Sequence, residues 1–230
     1  SSEAGPRTDS RLETIEDTAR EVTAVGGTGH PYVCDMTRER EVDALAAWVL
    51  RRFGALDAAV SSVWSGYEGF DGERFPDGSA WGTPFWRRPA GQLGRLLEGG
   101  LFAGLLLARA VAPAMVAAKR GLLVQIAYDP PEGHVGDIHV DLAQAAMRRL
   151  ALGLARDLSG TGVTALALSP GRVRTERAME AGQAEEGAQS PLLTGRAVMA
   201  LLRDPAVARH AGALLRVADL VGEGASDTQA

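Results

Sequence analysis

Five residues able to do acid–base or ligating chemistry fall close together: Tyr128, His134, Asp137, His139 and Asp141. A phenol and an imidazole can pass a proton between them, so Tyr128 with His139 forms a candidate acid–base pair. His139 and Asp141 stand two apart, a spacing that does not by itself set two ligands on one face. No metal centre is expected. The single cysteine, Cys34, excludes a multi-cysteine metal site and an internal disulfide. With no fixed partner in the local sequence, His134, Asp137, His139 and Asp141 are expected to be solvated loop residues.

These residues lie between a strand-like run, Gly121 to Ala127, and a helix-like run, Ala143 to Leu158. The rest of the chain alternates in the same way. A helical pattern from Arg11 to Val25 stops at Gly26-Gly27. Pro31 to Asp35 reads as a short strand, and Thr37 is expected to cap a helix that ends at Gly54. Leu56 to Val60, Val163 to Ser169 and Ala213 to Val217 read as further strands, with a helix near Thr194 to Leu202. The stretch 64–89 is rich in Gly, Pro and aromatics, including Trp64, Tyr67, Phe70, Phe75, Trp81, Phe85 and Trp86. It reads as an ordered lid loop, able to cover a small-molecule ligand or to pack on the domain. Residues from Pro170-Gly171 to about Ser190 read as loop. The pattern predicts an α/β class: a doubly wound parallel sheet with helices on both faces, one domain over 1–222 and a flexible tail, 223–230.

The formal charge of −5 argues against a nucleic-acid-backbone binder. Leu101 to Ala118 approaches the length of a membrane span, but Arg109 and Pro113 make a buried helix the expectation. The first residues, SSEAGPRTDSR, hold no apolar signal core. A cytoplasmic setting is expected.

Several segments, in order, resemble the short-chain dehydrogenase/reductase family. They are CDMT at 34–37, RRFGALDAAV at 51–60, SSVWSG at 61–66, ARAVAPAM at 108–115 and SPGRVRT at 169–175. SGYEGFDG, TPFW and SPLLTGRAVMALLRDP resemble a bacterial subgroup with a Trp-rich lid. The resemblance implies a Rossmann-like fold, a nicotinamide cofactor (NADP or NAD) and a dimer formed through the helices 101–118 and from Ala145. It assigns Asp35 to adenine, and Pro170, Gly171, Val173 and Thr175 to the nicotinamide amide. Arg7 lies where a 2′-phosphate would be read.

Against that pattern the chain departs twice. The family's Ser, Tyr and Lys fall on Ala127, Val140 and Gln144, and its relay Asn falls near Gly100. Ala and Val cannot titrate, and Gln carries no charge. The family's first strand–helix–strand unit, with its Gly-rich pyrophosphate turn, has no counterpart in this sequence. Either residues precede Ser1 in the native product, the favoured expectation, or the strand at 31–35 pairs directly with the one at 56–60. Three readings follow: a non-catalytic homologue with a scaffold or ligand-binding role, an enzyme using relocated groups such as Tyr128 and His139, or an incomplete gene product.

Overall fold

The computed structural model describes residues 14–66, 69–70, 73–130, 133–180 and 188–221. Arg7, Tyr67 and the tail from 222 onward lie outside the described residues.

Four parallel strands make one sheet: β1 (Ala58–Ser61), β2 (Gly121–Ile126), β3 (Val163–Ser169) and β4 (Leu214–Arg216), in the order β1-β2-β3-β4. The seven residues of β3 are all buried, as a strand covered on both faces requires. One expected strand is corrected. Residues 31–35 form no strand and pair with nothing in the sheet. Direct pairing of that segment with β1 therefore does not occur. A strand exists only through its ladder, and the only described ladder on β1 is with β2.

The helices follow their caps. In α1 (Ile15–Ala24), Thr14 and Asp17 close a reciprocal capping box. α2 (Glu39–Phe53) is not capped by Thr37. Instead Asp35 accepts from the Thr37 amide at 3.0 Å and its hydroxyl at 2.6 Å, and Glu41 Oε2 accepts from the Asp35 amide at 2.8 Å. That turn draws 35–37 away from helical geometry, and α2 starts after it. The helices α3 (Gly91–Leu96) and α4 (Ala103–Ala118) are joined through a π turn, Leu97–Phe102. By length and composition Gly91–Ala118 passes as a membrane span. Its residues Ala103, Gly104, Leu106, Ala108, Val111 and Met115 are buried, with Ala108, Val111 and Met115 packed against Leu123 and Ala165 of the sheet.

α5 (Ile138–Asp157) begins five residues earlier than its apolar periodicity suggests, because Asp137 caps it. Within the stretch expected as loop lies a short α6 (Glu176–Glu180). α7 (Pro191–Arg203) opens with Ser190 as cap and Pro at the first position, and α8 (Val217–Val221) follows β4. One core layer joins α2, α4 and α5 through Ala46, Val111, Met115, Leu123 and Leu158. The other joins the sheet to α7 and α8 through Leu122, Leu166, Leu168, Ala197, Leu201 and Val217.

Candidate functional site

In open α/β sheets, ligands bind beyond the carboxyl ends of the strands. Here that end is formed by Ala127 to Asp129 after β2, Ser169 at the end of β3 with Pro170 after it, and the first turns of α5.

The three positions that the resemblance aligns with catalytic groups each pack or hydrogen-bond within the chain. Ala127 is buried and its amide donates to Leu168 O at 3.1 Å. Val140 is 3% exposed and packs with Leu96 and Ala143, flanked by Trp64, Leu97 and Val135. Gln144 lies one helical turn further on, and its Oε1 accepts from the Tyr128 amide at 2.8 Å. Its acceptor is thus committed to holding the β2–α5 loop. The relay position is filled as well: a Cβ on Gly100 would lie 2.8 Å from Met147 Sδ and 3.4 Å from the Trp64 ring. The π turn brings Gly100 to this close approach, and an Asn side chain there would require Met147 to move.

Beside these positions, Asp129 receives Arg148 and, at 3.2 Å, Arg216, while its amide donates to Ser169 Oγ at 3.1 Å. This ties the ends of β2, β3 and β4 together.

Among the described residues no hydrogen bond or ring contact joins Tyr128 to His139, and the Tyr128 amide donates to Gln144 Oε1. His139 faces the lid, and its imidazole is held below its ordinary range by burial and then by the neighbouring Arg88 charge, opposed by Asp137 and Asp77. The expectation of solvated loop residues is corrected for three groups: Asp141 is half-buried in the first turn of α5, where its Oδ1 accepts from the Val135 amide at 3.3 Å, and Asp137 and His139 are buried. His139 is 7% and Asp137 2% exposed, because both belong to the start of α5. His134 is exposed, as expected, and its Nδ1 accepts from the Gly136 amide at 2.9 Å.

The sequence also gave no sign of what buries Asp137. The Arg88 and Asp137 side chains form an ion pair with no exposed area. Arg88 Nε donates to Gln92 Oε1 at 3.0 Å, and its guanidinium lies 4.5 Å from the Phe75 ring centroid. Arg88 and Asp137 lie 49 positions apart in the chain, so no local pattern joins them. Asp137 itself was findable: an Asp directly before an apolar helical run is a cap signature.

The lid aromatics divide. Phe75 is buried against Phe70, Trp81 and Arg88. Trp64 packs on the Val140 cluster, and Phe85 and Trp86 form an exposed edge-on pair. A cleft of about 340 Å³ in the lid is lined by Arg74, Asp77, Ser79, Thr83 and Arg87, which are polar rather than aromatic.

Fit to a nicotinamide cofactor is uneven. The 170–175 loop keeps a shape that could meet the amide: Gly171 adopts φ +68, Val173 bridges to Gln189, and Thr175 Oγ1 takes the Ala178 amide at 3.2 Å. Asp35 is spent on its turn, and the Thr37 hydroxyl and amide, with Arg38, hold its carboxyl below the usual range. Ahead of α2 the described residues hold one helix and no strand. Gln144 and Val140 offer neither a ribose-holding cation nor a titratable proton donor. Among the described residues no three His, Cys, Asp or Glu side chains are grouped to hold a metal.

Residues 6–186 match the family model described as short chain dehydrogenase. The chain is 30% identical over 225 residues to Dehydrogenase/reductase SDR family member 1 of Mus musculus, covering 91% of this chain and 70% of that protein. It is similar in fold to a short-chain type dehydrogenase/reductase from Mycobacterium marinum, with TM-score 0.70, 21% identity, and 88% and 79% of the two chains covered. It is similar also to ElxO with NADP bound, with TM-score 0.70, 16% identity, and 88% and 83% covered.

Proposed function

The chain belongs to the short chain dehydrogenase family, and from that premise we propose that it is an oxidoreductase-like member without the family's hydride transfer, serving as a scaffold or ligand-binding protein. The observation that carries this reading is Val140, nearly fully buried in an apolar cluster at the position of the proton donor. A tyrosine there would need room that Leu96, Ala143 and Trp64 occupy.

Nicotinamide binding is a property of relatives such as ElxO with NADP bound. For this chain we propose at most weak binding, through Pro170, Gly171, Val173 and Thr175 with Asp35 on the adenine side. The relocated-group reading, through Tyr128 and His139, stands as the second proposal, and a ketone-dependent NADPH oxidation assay with Tyr128→Phe and His139→Ala tests it. Homodimer formation is a further proposal, supported by exposed Phe102 at the end of the π turn, Leu105 and Val116 on α4 and Leu142 on α5. A cytoplasmic location and a small ligand at the lid complete it.

The test is a titration with NADPH and NADH, following thermal stability, together with NADPH oxidation over a panel of ketones. A ligand that binds the native state raises stability by mass action. The expected outcome is little or no shift at millimolar cofactor and no oxidation. Ketone-dependent oxidation by the wild-type chain would overturn the proposal.

A further inference from the structure

One charged cluster lies outside the catalytic positions and joins the lid to α5. Arg88 gathers four pieces of chain. It pairs with Asp137, the cap of α5; it donates to Gln92 of α3 and, at 3.4 Å, to the carbonyl of Ala80; and it lies over Phe75 of the lid turn. Two buried polar atoms in this neighbourhood have no hydrogen-bond partner: His139 Nδ1 and Asp77 Oδ2. His139 lies two residues past the cap, and its charged neighbours are Arg88 and Asp77 from the lid side and Asp137 from α5. The lid also touches the α5 approach near Trp81, Gly82 and Gly136: a Cβ on Gly82 would lie 3.3 Å from Gly136 O, and one on Gly136 3.2 Å from Trp81 Nε1.

We propose that this cluster is a proton-operated latch: with His139 neutral the lid segment 73–88 stays docked on the start of α5, and proton uptake by His139 releases it. A buried cation is tolerated only when paired and hydrogen-bonded. Asp137 is already committed, to Arg88 through Oδ2 and to the His139 and Val140 amides through Oδ1 at 3.0 and 3.2 Å. An imidazolium would therefore be a second positive charge beside Arg88 and would draw in water. α5 cannot yield, because Val140, Ala143, Met147 and Ala151 anchor it in the core. The lid can yield, since it carries Arg88, Asp77 and Phe75 and contributes no strand to the sheet. The sign follows from burial. An imidazole whose pKa is lowered in the docked state supports docking fully above its ordinary value, about 6.5, and loses that support as pH falls below it.

Amide hydrogen exchange of the full chain at about pH 7.5 and pH 5.5, corrected for intrinsic rates, tests this. Residues 74–82 should exchange about tenfold faster at the lower pH, with β3 unchanged as an internal reference. His134 stands in the same loop, and protonation would cost its Nδ1 the Gly136 amide. The variants His139→Gln and His134→Gln separate the two. His139→Gln should abolish the pH response, and His134→Gln should keep it. Should His139→Gln fold poorly, His139→Asn takes its place. A pH-independent lid in the wild type, or a response that survives both His139 variants, overturns the latch.

Discussion

The ion pair between Arg88 and Asp137 invites a direct measurement, because the carboxylate has two separable duties. Its Oδ1 caps α5 through the His139 and Val140 amides, and its Oδ2 neutralises Arg88. Asp137→Asn keeps an acceptor for the cap but removes the charge, whereas Asp137→Ala removes both. Removing one partner from a fully buried pair costs about 3–5 kcal/mol, because the other charge stays buried. Losing the cap adds about 1 kcal/mol. The expected costs are about 3–5 kcal/mol for the Asn variant and about 4–6 kcal/mol for the Ala variant. For a domain of this size 1 kcal/mol moves Tm by about 2–4 °C, so Asp137→Asn should lower Tm by roughly 6–20 °C. Urea unfolding followed by circular dichroism gives the free energies. The double variant Arg88→Met with Asp137→Asn should recover part of the loss, since an apolar replacement removes the stranded charge. If Asp137→Asn costs less than about 1 kcal/mol, Arg88 is reaching water and the argument from burial is wrong.

Val140→Tyr should destabilise the chain by about 1–3 kcal/mol through overpacking, and the triple variant Ala127→Ser, Val140→Tyr, Gln144→Lys should gain no ketone-dependent NADPH oxidation. Gly100→Ala should cost about 1–3 kcal/mol by pressing on Met147; combined with Met147→Ala, the two costs should sum to less than their separate values in urea unfolding. Gln144→Ala leaves the Tyr128 amide without its acceptor and should cost about 1 kcal/mol, read from the same assay. Wild-type stability should fall as pH drops below about 6.5, where the buried His139 must take a proton that the unfolded chain takes readily, and His139→Gln should flatten that slope.

Patterns that act over a few residues were legible in the sequence. β3 runs over Val163–Ser169 as its continuous apolar run indicates, and β2 matches to within a residue. Pro31–Asp35 has strand-like composition, yet among the described residues no strand pairs with it, and composition carries no information about partners. The resemblance aligns Ala127, Val140 and Gln144 with catalytic positions through the register of the flanking elements, but how these residues pack was not legible. That Trp64 and Met147 approach Gly100 depends on a π turn and on residues on separate elements. Asp137 looked like a solvated loop residue because the partner it is buried with, Arg88, lies 49 positions away along the chain.

The free side of β1 bears on how the molecule behaves at high concentration. Val60 is 41% exposed, and the strand Ala58–Ser61 presents neither charge nor proline along an edge with no strand beside it among the described residues. Natural sheets usually guard such an edge against strangers. Among the described residues the ladder on this side is unfilled, so an extended segment, whether from this protein or from another molecule, has a place to add. Light scattering should therefore rise with concentration at temperatures well below the melting transition, and a single Val60→Lys substitution should suppress it while leaving Tm nearly unchanged.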